Sequence, residues 1–485
     1  RLIDPGTAVV LEADRGRGKS SAAGLAAAAF AAAGSEVLVT APTYRNASTL
    51  FERAAELLSS LDALAEDERD GQSTPALRAE DASIRFRSPQ AAIDASADVL
   101  FVDEAAALPV RTLESLISVA PGVCFATTVR GYEGAGRGFE VRFRDELEQL
   151  RDCTECVLSE PIRHAPADPI EAWQFHALLL GATPPPAQLV ADLDLERATK
   201  EQIDQDTLAD DETLLKELFG LLVTAHYRTE PDDLARLLDA PNVAIRALVI
   251  DGHPISVAVL SREGGLEAST RRQAYEGDRI QGNLLPDLLT SQLRDPDAGI
   301  PVGLRVRRIA THHAVRGSGL GSRLLAEIES EFHERAESAR FDTIEYLGVS
   351  YGATPELLSF WTMNGYRTVH LSTTRNEASG EHSVVMIRPL SAAGHELADR
   401  HAAWFRRRIP AVLSETLSAV DPNVVRGALA AVEGSPPIEV TDFEWRLVAS
   451  AAHGPGHYDT APGPFKRLAF KALVDGGLDA DAERL

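Results

Sequence analysis

A short segment near the start of this chain constrains its fold more than any other feature. Residues 8–12 form an apolar run that predicts a buried strand, and the Ala-rich residues 21–33 favour a helix. The loop between them reads Ala13-Asp14-Arg15-Gly16-Arg17-Gly18-Lys19-Ser20. A strand, a glycine-containing loop and a helix in this order predict a P-loop, in which backbone N–H groups wrap a phosphate at the helix N-terminus.

Each residue type in this loop has a physical reason. Gly16 and Gly18 let the backbone curl around a phosphate, and Lys19 can reach the outer phosphates of ATP. Ala13 stands where the usual pattern has its first glycine, so the alternative is a glycine-rich turn without a ligand. The predicted ATP-binding residues of the loop are Ala13, Asp14, Arg15, Gly16, Arg17, Gly18, Lys19, Ser20 and Ser21.

An acidic pair supports the same interpretation. Residues 97–102 are an apolar strand that ends in Asp103 and Glu104. From a neighbouring parallel strand, Asp103 would hold Mg²⁺ together with Ser20, and Glu104 would be the catalytic group that polarises the attacking water. Further strands are predicted at 36–40 and 123–128, so the first half is predicted to be a doubly wound parallel α/β sheet with the nucleotide at its carboxyl edge.

Two later stretches have the character of functional loops. Residues 127–138 are basic and glycine-rich, which suits a loop that senses nucleotide or touches RNA. Arg163, in Glu160-Pro161-Ile162-Arg163, follows a predicted strand and could bind the terminal phosphate of ATP as an arginine finger does. Ordinary surface turns are the alternative for both.

The pattern of apolar residues changes after residue 244 and no longer resembles that of a parallel α/β sheet. Apolar runs at 247–250 and 255–260 flank Asp251-Gly252-His253-Pro254, which predicts a hairpin and therefore an antiparallel sheet. A strand at 307–312 then leads into Arg316-Gly317-Ser318-Gly319-Leu320-Gly321-Ser322 and a helix over 323–336. This turn resembles the acetyl-CoA pyrophosphate loop of GNAT acetyltransferases, in which small residues and the helix dipole favour a diphosphate.

The residues around that turn limit the chemistry. No cysteine follows Cys156, so acetyl transfer here would proceed by direct attack of a bound amine or through a less usual nucleophile. His312 is the best candidate for taking the proton or orienting the amine; His313 is its rival, and a surface histidine without a role is the alternative. Arg375 could hold an RNA phosphate or the cofactor.

Composition sets weaker limits. The net charge of −25 argues against a nucleic-acid partner at first sight, but only five of the 48 basic residues are lysines, a composition typical of proteins adapted to high salt or encoded by GC-rich genomes. Three cysteines fit a reducing cytoplasm, and the lone pair Cys153 and Cys156 lacks a second ligand pair for zinc. No apolar run reaches the roughly 20 residues of a membrane helix, so a cytoplasmic protein without a membrane partner is expected.

The last part of the sequence is predicted to be helical. A helix over 401–417 carries Trp404, Phe405 and the three arginines Arg406, Arg407 and Arg408, and a second helix covers 424–432. Arginines among aromatic residues can bind an RNA backbone and stack on bases, although a solvated helix face would look similar. A Pro-rich and acidic stretch at 183–211 is predicted to join the two halves.

The combination of both halves resembles the tRNA(Met) cytidine acetyltransferase family, whose eukaryotic relatives also modify ribosomal RNA. Besides the P-loop, the matching stretches lie in order along most of the chain: Asp103-Glu104-Ala105-Ala106-Ala107-Leu108-Pro109, Gly131-Tyr132-Glu133-Gly134, Gly136-Arg137-Gly138-Phe139, Glu160-Pro161-Ile162-Arg163, Gly282-Asn283-Leu284, Arg308-Ile309-Ala310 with His312, Leu347-Gly348-Val349-Ser350-Tyr351-Gly352, Phe360-Trp361, Gly365-Tyr366 and Ser379-Gly380-Glu381-His382-Ser383.

The resemblance implies ATP-dependent N4-acetylation of a cytidine, at the wobble position of tRNA(Met) or in another RNA, with acetyl-CoA, ATP and Mg²⁺ as cofactors. It implies ATP contacts at the P-loop and Arg163. It also implies acetyl-CoA contacts at Ile309, Ala310, Thr311, Arg316, Gly317, Ser318, Gly319, Leu320, Gly321, Ser322 and Glu356. Family members usually have a further domain before the ATPase; because this chain begins with Arg1 close to the P-loop, a processed form or fragment without that domain is expected.

The predicted domains are a P-loop ATPase at 1–180, a linker with connecting helices at 181–225, a GNAT-type mixed α/β acetyltransferase at 226–392 and a helical, tRNA-binding module at 393–485. An RNA-remodelling ATPase or helicase whose second domain binds CoA only as a regulator is the main alternative. A protein N-acetyltransferase is a further one, for which no peptide groove is suggested.

Overall fold

A computed structural model describes residues 4–69, 74–128, 143–225, 231–337, 343–376, 380–432 and 439–475. These residues form two compact units. The first comprises the described residues up to Leu189, those of 205–240, and Gly380; the second comprises Val190–Asp204, those of 241–376, and those from Glu381 onward. The predicted domain boundaries stay predictions, and each unit is considered by itself.

The first unit is built around an eight-stranded sheet in the order β3-β4-β5-β2-β6-β7-β1-β8. Its strands are β1 Thr7–Ala13, β2 Val37–Thr40, β3 Glu66–Asp67, β4 Ala76–Arg78, β5 Ser83–Phe86, β6 Val99–Val102, β7 Gly122–Thr128 and β8 Asp152–Leu158. The helices up to residue 239 are α1 Lys19–Ala32, α2 Tyr44–Ser60, α3 Pro89–Ile93, α4 Val110–Leu116, α5 Arg144–Leu150, α6 Pro169–Ala177, α7 Ala187–Ala191, α8 Gln205–Asp210, α9 Glu212–Ala225 and α10 Pro231–Asp239.

Helices cover both faces of this sheet, as the alternation of buried residues requires. In β2, Val37 and Val39 belong to the apolar cluster that holds α1 and α2, whereas Leu38 belongs to the cluster that holds α3 and α4. Since successive strand residues point to opposite faces, both faces are buried. The prediction of a doubly wound parallel sheet is confirmed for β5, β2, β6, β7, β1 and β8, and antiparallel β3 and β4 extend one edge.

One expectation about this sheet is wrong. The acidic pair was expected on a strand next to the P-loop strand, but β6 pairs with β2 and β7, and β1 pairs with β7 and β8. The two strands are therefore separated by β7, which ends in the small residue Thr128. The pair still reaches the P-loop, because all three strands are parallel and end at the same edge.

The P-loop helix packs closely on its neighbour. A Cβ at Gly24 in α1 would lie 2.3 Å from the carbonyl oxygen of Leu50 in α2. No side chain fits in that gap, so Gly24 allows the two backbones to approach. This approach brings α2 beside the loop that precedes α1.

The second unit contains a seven-stranded sheet in the order β14-β15-β13-β12-β11-β10-β9. Its strands are β9 Thr199–Ile203, β10 Val243–Ile250, β11 His253–Glu263, β12 Gly303–Thr311, β13 Tyr346–Gly352, β14 Arg367–Arg375 and β15 His382–Pro389. Its helices are α11 Ala268–Glu276, α12 Leu284–Ser291, α13 Leu320–Glu337, α14 Pro355–Met363, α15 Ala392–Leu413, α16 Pro422–Ala430, α17 Asp442–His453 and α18 Pro462–Val474.

The predicted hairpin is confirmed as β10 and β11, which turn at Asp251 and Gly252, both with positive φ. Strand β9 was not predicted; it lies in the stretch interpreted as a linker and pairs antiparallel with β10. In this sheet only β12 and β13, among the described strands, pair in parallel. Because β12 and β13 are parallel, their carboxyl ends lie at the same edge of the sheet, where the second candidate site is found.

The C-terminal helices complete the core of the second unit. The first of them, α15, begins at Ala392, nine residues before the predicted helix, and Phe405 and Ile409 on it are buried in the same apolar cluster as β13 and α13. The described helices include none that is long and apolar enough to cross a membrane.

Candidate functional sites

The loop between β1 and α1 has the backbone of a phosphate-binding turn. Gly16 and Gly18 have φ of +81° and +84°, in the left-handed region that glycine tolerates best. Gly18 is also crowded, since a Cβ there would lie 2.8 Å from Cδ1 of Ile162. Ala13, by contrast, is the last residue of β1 and pairs with Thr128 and Leu158. Its extended strand conformation needs no glycine, which explains this departure from the usual pattern.

Lys19 joins the loop to the acidic pair. Its Nζ donates to Oε1 of Glu104 at 2.7 Å and to the hydroxyl of Thr128 at 3.2 Å, and it lies 4.0 Å from Oδ1 of Asp103. The lysine side chain is only 7% exposed. Glu104 has a φ of +50°, an uncommon conformation for a residue with a Cβ, and this aims its carboxylate at Lys19. The cation predicted to reach phosphate is therefore paired with the carboxylate predicted to polarise water.

Asp103 is the most buried charged group of this site. Its side chain is fully buried, and burial raises the pKa of its carboxyl group despite the attraction of Lys19 and a hydrogen bond from Ser20. Oδ1 accepts from the Glu104 N–H, whereas Oδ2 has no hydrogen-bond partner within the described part of the chain. A buried carboxylate oxygen without a partner, beside a serine hydroxyl, suits a hydrated Mg²⁺ ion.

A cavity of about 890 Å³ opens over this loop. Of the predicted ATP-binding residues, Ala13 and Asp103 are buried in the sheet and do not line it. The lining includes Asp14, Arg15, Gly16, Arg17, Gly18, Lys19, Ser20, Ser21 and Arg163, together with Glu104 and Thr128. The structure thus brings Arg163 to the P-loop, with its side chain packed against Gly16.

The α2 wall of this cavity was not predicted from the sequence. Arg45, Asn46, Thr49 and Arg53 line it from the first half of α2. The signal was the spacing of 45, 49 and 53, which places these polar side chains on one helix face. The other predicted nucleotide-sensing stretch, 127–138, lies outside the described residues after Thr128.

The second candidate site lies where β12 and β13 part. The parallel ladder runs from Gly303 opposite Tyr346 to Val306 opposite Val349 and then ends, although β12 continues to Thr311 and β13 to Gly352. On its other side β12 stays paired with β11 up to Thr311. The two strands therefore open a cleft at their carboxyl ends, beside Ile309, Ala310 and Thr311.

The predicted pyrophosphate turn follows this strand. Gly317 and Gly319 have φ of +76° and +84°, and a Cβ at either position would meet open space. Arg316 Nε donates to the Thr311 carbonyl at 3.3 Å, and the Ser318 hydroxyl donates to the Val315 carbonyl at 2.6 Å. The turn is thus held in place before α13 begins, which leaves its amides at a helix N-terminus, where anions bind well.

The remaining predicted cofactor residues occupy three kinds of position. Leu320 is buried in the apolar core, so its side chain serves packing. Gly321 lies against Phe360 and Thr311, and the Ser322 hydroxyl is 3.1 Å from the amide nitrogen of Asn364. Glu356 is exposed in the first turn of α14.

His312 does not lie open at the mouth of the cleft. Its side chain is fully buried, its Nδ1 accepts from the Ala314 N–H at 3.2 Å, and its ring stacks on His313 with centroids 4.4 Å apart. This is the arrangement of an N-cap for the short helix that starts at His313. Because Nδ1 accepts this hydrogen bond, the neutral ring carries its proton on Nε2.

The predicted RNA-binding arginines are not equivalent. Arg375 donates to the Ala419 carbonyl at 3.0 Å, and Arg408 donates to the Leu371 carbonyl at 2.5 Å. Burial lowers the pKa of Arg408. Arg406 and Arg407 instead line a cavity of about 590 Å³ between α15 and α18, which Lys466 also lines. Cys153 and Cys156 both lie on β8, and the described residues contain no group of three or more His, Cys, Asp and Glu side chains placed to hold a metal ion such as zinc.

Comparisons with known proteins agree with this division. Residues 10–181 match the family model of the helicase domain of RNA cytidine acetyltransferase NAT10/TcmA, and residues 217–340 and 331–391 match that of GNAT acetyltransferase 2. The tRNA(Met) cytidine acetyltransferase TmcA of Haloferax volcanii is 58% identical over 479 residues, covering 98% of this chain and 62% of that protein. The TmcA proteins of Haloarcula marismortui and Thermococcus kodakarensis are 54% and 32% identical, covering 97% and 98% of this chain and 60% and 59% of their own lengths. The chain thus spans about three fifths of the length of these relatives.

Proposed function

Because this chain belongs to the tRNA(Met) cytidine acetyltransferase family, we propose that it transfers an acetyl group from acetyl-CoA to N4 of a cytidine in RNA, the wobble cytidine of tRNA(Met), in the cytoplasm and with coupled ATP hydrolysis. The observation that carries the proposal is the cleft where β12 and β13 part beyond Val306, directly before a glycine turn and a helix N-terminus. A P-loop with a paired Lys19 and Glu104 in the same chain supplies the ATPase half.

Acetyl-CoA would bind through backbone groups. The amides of the turn at 316–322 would hold the diphosphate at the start of α13, and the pantetheine arm would run along β12 at Ile309–Thr311. Extended backbone at the edge of a cleft can hydrogen-bond an amide-containing chain as a further strand would. The thioester would then lie between the parted strands, with Glu356 at the start of α14 as an additional contact.

Acetyl transfer would be direct. The N4 amine attacks the thioester carbonyl, the C–S bond breaks, coenzyme A leaves as the thiolate, and one N4 proton must be removed. The amine is weakly nucleophilic because its lone pair is conjugated with the pyrimidine ring, so positioning and proton removal are what the protein can contribute. His312 is proposed to orient the reacting groups: because Nδ1 accepts from the Ala314 N–H, the neutral ring carries its proton on Nε2, which can donate a hydrogen bond. The N4 proton would then pass to the leaving thiolate, which gives coenzyme A as the thiol.

ATP would bind at the P-loop. Bound Mg²⁺, held by Ser20 and Asp103, would offset phosphate charge. Lys19 would exchange Glu104 for the phosphates, which would release the Glu104 carboxylate to orient a water molecule, and Arg163 would contact the terminal phosphate from the cavity wall. Hydrolysis would serve to bring the target base out of its stack.

RNA would contact arginines of the second unit, with Arg375, Arg406 and Arg407 binding phosphates. Arg408, which donates to the Leu371 carbonyl, would position the helix that carries the other two. The buried position of His312 favours one competitor, an RNA-remodelling ATPase whose cleft binds CoA only as a regulator.

The test is acetylation of transcribed tRNA(Met) by this chain with ATP and labelled acetyl-CoA, followed by mass spectrometry of the nucleosides. The proposal expects N4-acetylcytidine with tRNA(Met) and none with a transcript whose wobble cytidine is replaced by uridine. Label on protein lysines would contradict the proposal. RNA-stimulated ATP hydrolysis without any label on RNA would support the regulator hypothesis instead.

A further inference from the structure

The segment that carries Arg163 lies across the P-loop and touches it twice through Ile162. The Ile162 N–H donates to the Gly16 carbonyl at 3.1 Å. The Ile162 side chain occupies the space next to Gly18, where even a Cβ would be too close. These contacts hold the middle of the segment, but neither involves the charged part of Arg163.

A third contact holds the far end of this segment. Glu171, in the first turn of α6, forms an ion pair with Arg17 of the P-loop at 2.7 Å. The carboxylate of Asp168 caps α6 by accepting from the N–H groups of Ile170 and Glu171 at 2.8 and 3.2 Å, which fixes the Glu171 backbone. His164 Nε2 lies 3.6 Å from the same Glu171 oxygen.

Arg17 connects this pair to the nucleotide cavity. Its side chain is 9% exposed and lines the cavity. Its Nη2 binds Glu171, whereas Nε and Nη1 have no hydrogen-bond partner within the described residues. Buried guanidinium donors without an acceptor are unfavourable, so an acceptor in the cavity, such as a phosphate oxygen, would complete them.

We propose that Glu171 is a positioning residue for ATP hydrolysis, which through Arg17 holds the 160–171 segment against the P-loop and keeps Arg163 at the cavity wall. The proposal rests on the ATPase function proposed above. Glu171 itself does not line the nucleotide cavity. Without its charge, the α6 end of the segment loses its tie to the loop and Arg163 is held less closely, while the loop amides and Lys19 still bind the phosphates.

The test is a double-mutant cycle on the whole chain with Glu171→Gln, Arg163→Ala and both together, reading kcat and KM for ATP hydrolysis. Glu171→Gln keeps the side-chain shape and removes the charge. It is expected to lower kcat about tenfold and to change KM by less than about threefold, since a displacement of about 1 Å can cost up to a hundredfold in rate. In the Arg163→Ala background it is expected to lower kcat no further. Asp81→Asn, in the exposed turn between β4 and β5, is the matched control.

Two results would overturn the inference. If Glu171→Gln leaves kcat unchanged, or if its effect multiplies fully with that of Arg163→Ala, Glu171 does not act through Arg163. Should Glu171→Gln lower the thermal midpoint sharply, Glu171→Met, which also removes the charge, is put through the same cycle with the same two outcomes. Wild-type hydrolysis separates the cases: if it is present, failure of the cycle removes only this inference, and if ATP neither binds nor is hydrolysed, the proposed function fails too.

Discussion

The two candidate sites are built from different parts of the polypeptide. At the P-loop, the chemistry lies in side chains that are already paired with one another: Lys19 with Glu104, Ser20 with Asp103, and Arg17 with Glu171. At the cleft between β12 and β13, it lies in backbone geometry, namely parted strands and a turn with two glycines at positive φ.

The two sites are therefore sensitive to different substitutions. Removing one charge from the first site leaves a buried partner uncompensated, and a buried charge without its partner is costly. The second site tolerates changes of side-chain charge better, but it depends on backbone conformations that few residues can adopt.

The largest effect is expected from Lys19→Ala. Without the ammonium group, Asp103 and Glu104 repel each other and the phosphates lose their nearest cation, so kcat for ATP hydrolysis should fall at least about a hundredfold. Isothermal titration with CoA should show unchanged affinity. Lys216→Ala, an exposed lysine of α9 paired with Glu212, is the control. A parallel loss of CoA binding would contradict the independence of the two sites.

The next effect concerns stability and a buried histidine of the second unit. Burial, with Arg408 and His401 nearby, lowers the pKa of His370 on β14 to about 4, below the 6.5 of an unperturbed histidine. The unfolded chain therefore binds this proton first, and stability is lost as pH falls from about 6.5 to 4. The expected loss is about 2–3 kcal/mol.

Urea unfolding followed across this pH range measures that loss. His370→Phe, which cannot take up the proton, should reduce the slope of stability against pH, whereas His395→Gln, an exposed histidine of α15, should not. An equal slope in the wild type and His370→Phe would contradict the assignment.

A smaller effect is expected from Gly319→Ala. Its φ of +84° costs an alanine about 1–2 kcal/mol, although the methyl group would meet no neighbour. CoA affinity should fall about tenfold while ATP hydrolysis stays unchanged. Gly277→Ala, at φ +111° beyond α11 and also in open space, is the matched control for strain alone. Equal losses of CoA affinity in both variants would show that strain, not the position in the turn, is responsible.

The smallest effect is a pH dependence at the first site. Because burial raises the pKa of Asp103, its carboxyl stays protonated to higher pH than an ordinary aspartate, and the protonated form binds Mg²⁺ poorly. The Mg²⁺ concentration for half-maximal hydrolysis should therefore rise a few-fold from pH 7.5 toward pH 5. Asp103→Asn should remove the dependence along with most activity, and CoA affinity should not follow the same curve.

Much of both sites could be predicted from sequence because local patterns encode local structure. The P-loop needs its glycines and lysine within a few residues, and the hairpin at Asp251 and Gly252 needs its turn residues between two strands. The parallel sheet followed from apolar runs alternating with helical stretches. These features depend on neighbours in sequence, so they can be recognised without a structure.

The missing parts depend on residues far apart in the chain. No local pattern shows that β7 separates β1 from β6, since strand order is a property of the whole sheet. Glu171 is 154 residues from Arg17, and nothing near it marks it as a partner. His312 follows the end of β12, but its burial comes from the fold around it and could not be inferred from its position beside the glycine turn.

The early end of the ladder between β12 and β13 also matters before any ligand arrives. Extended backbone without a partner strand can form hydrogen bonds with a strand of another molecule, and such pairing leads to aggregation. Cofactor lying along this strand would block that approach. Purification and storage with CoA should therefore keep the protein monodisperse for longer. Samples stored without CoA should precipitate first.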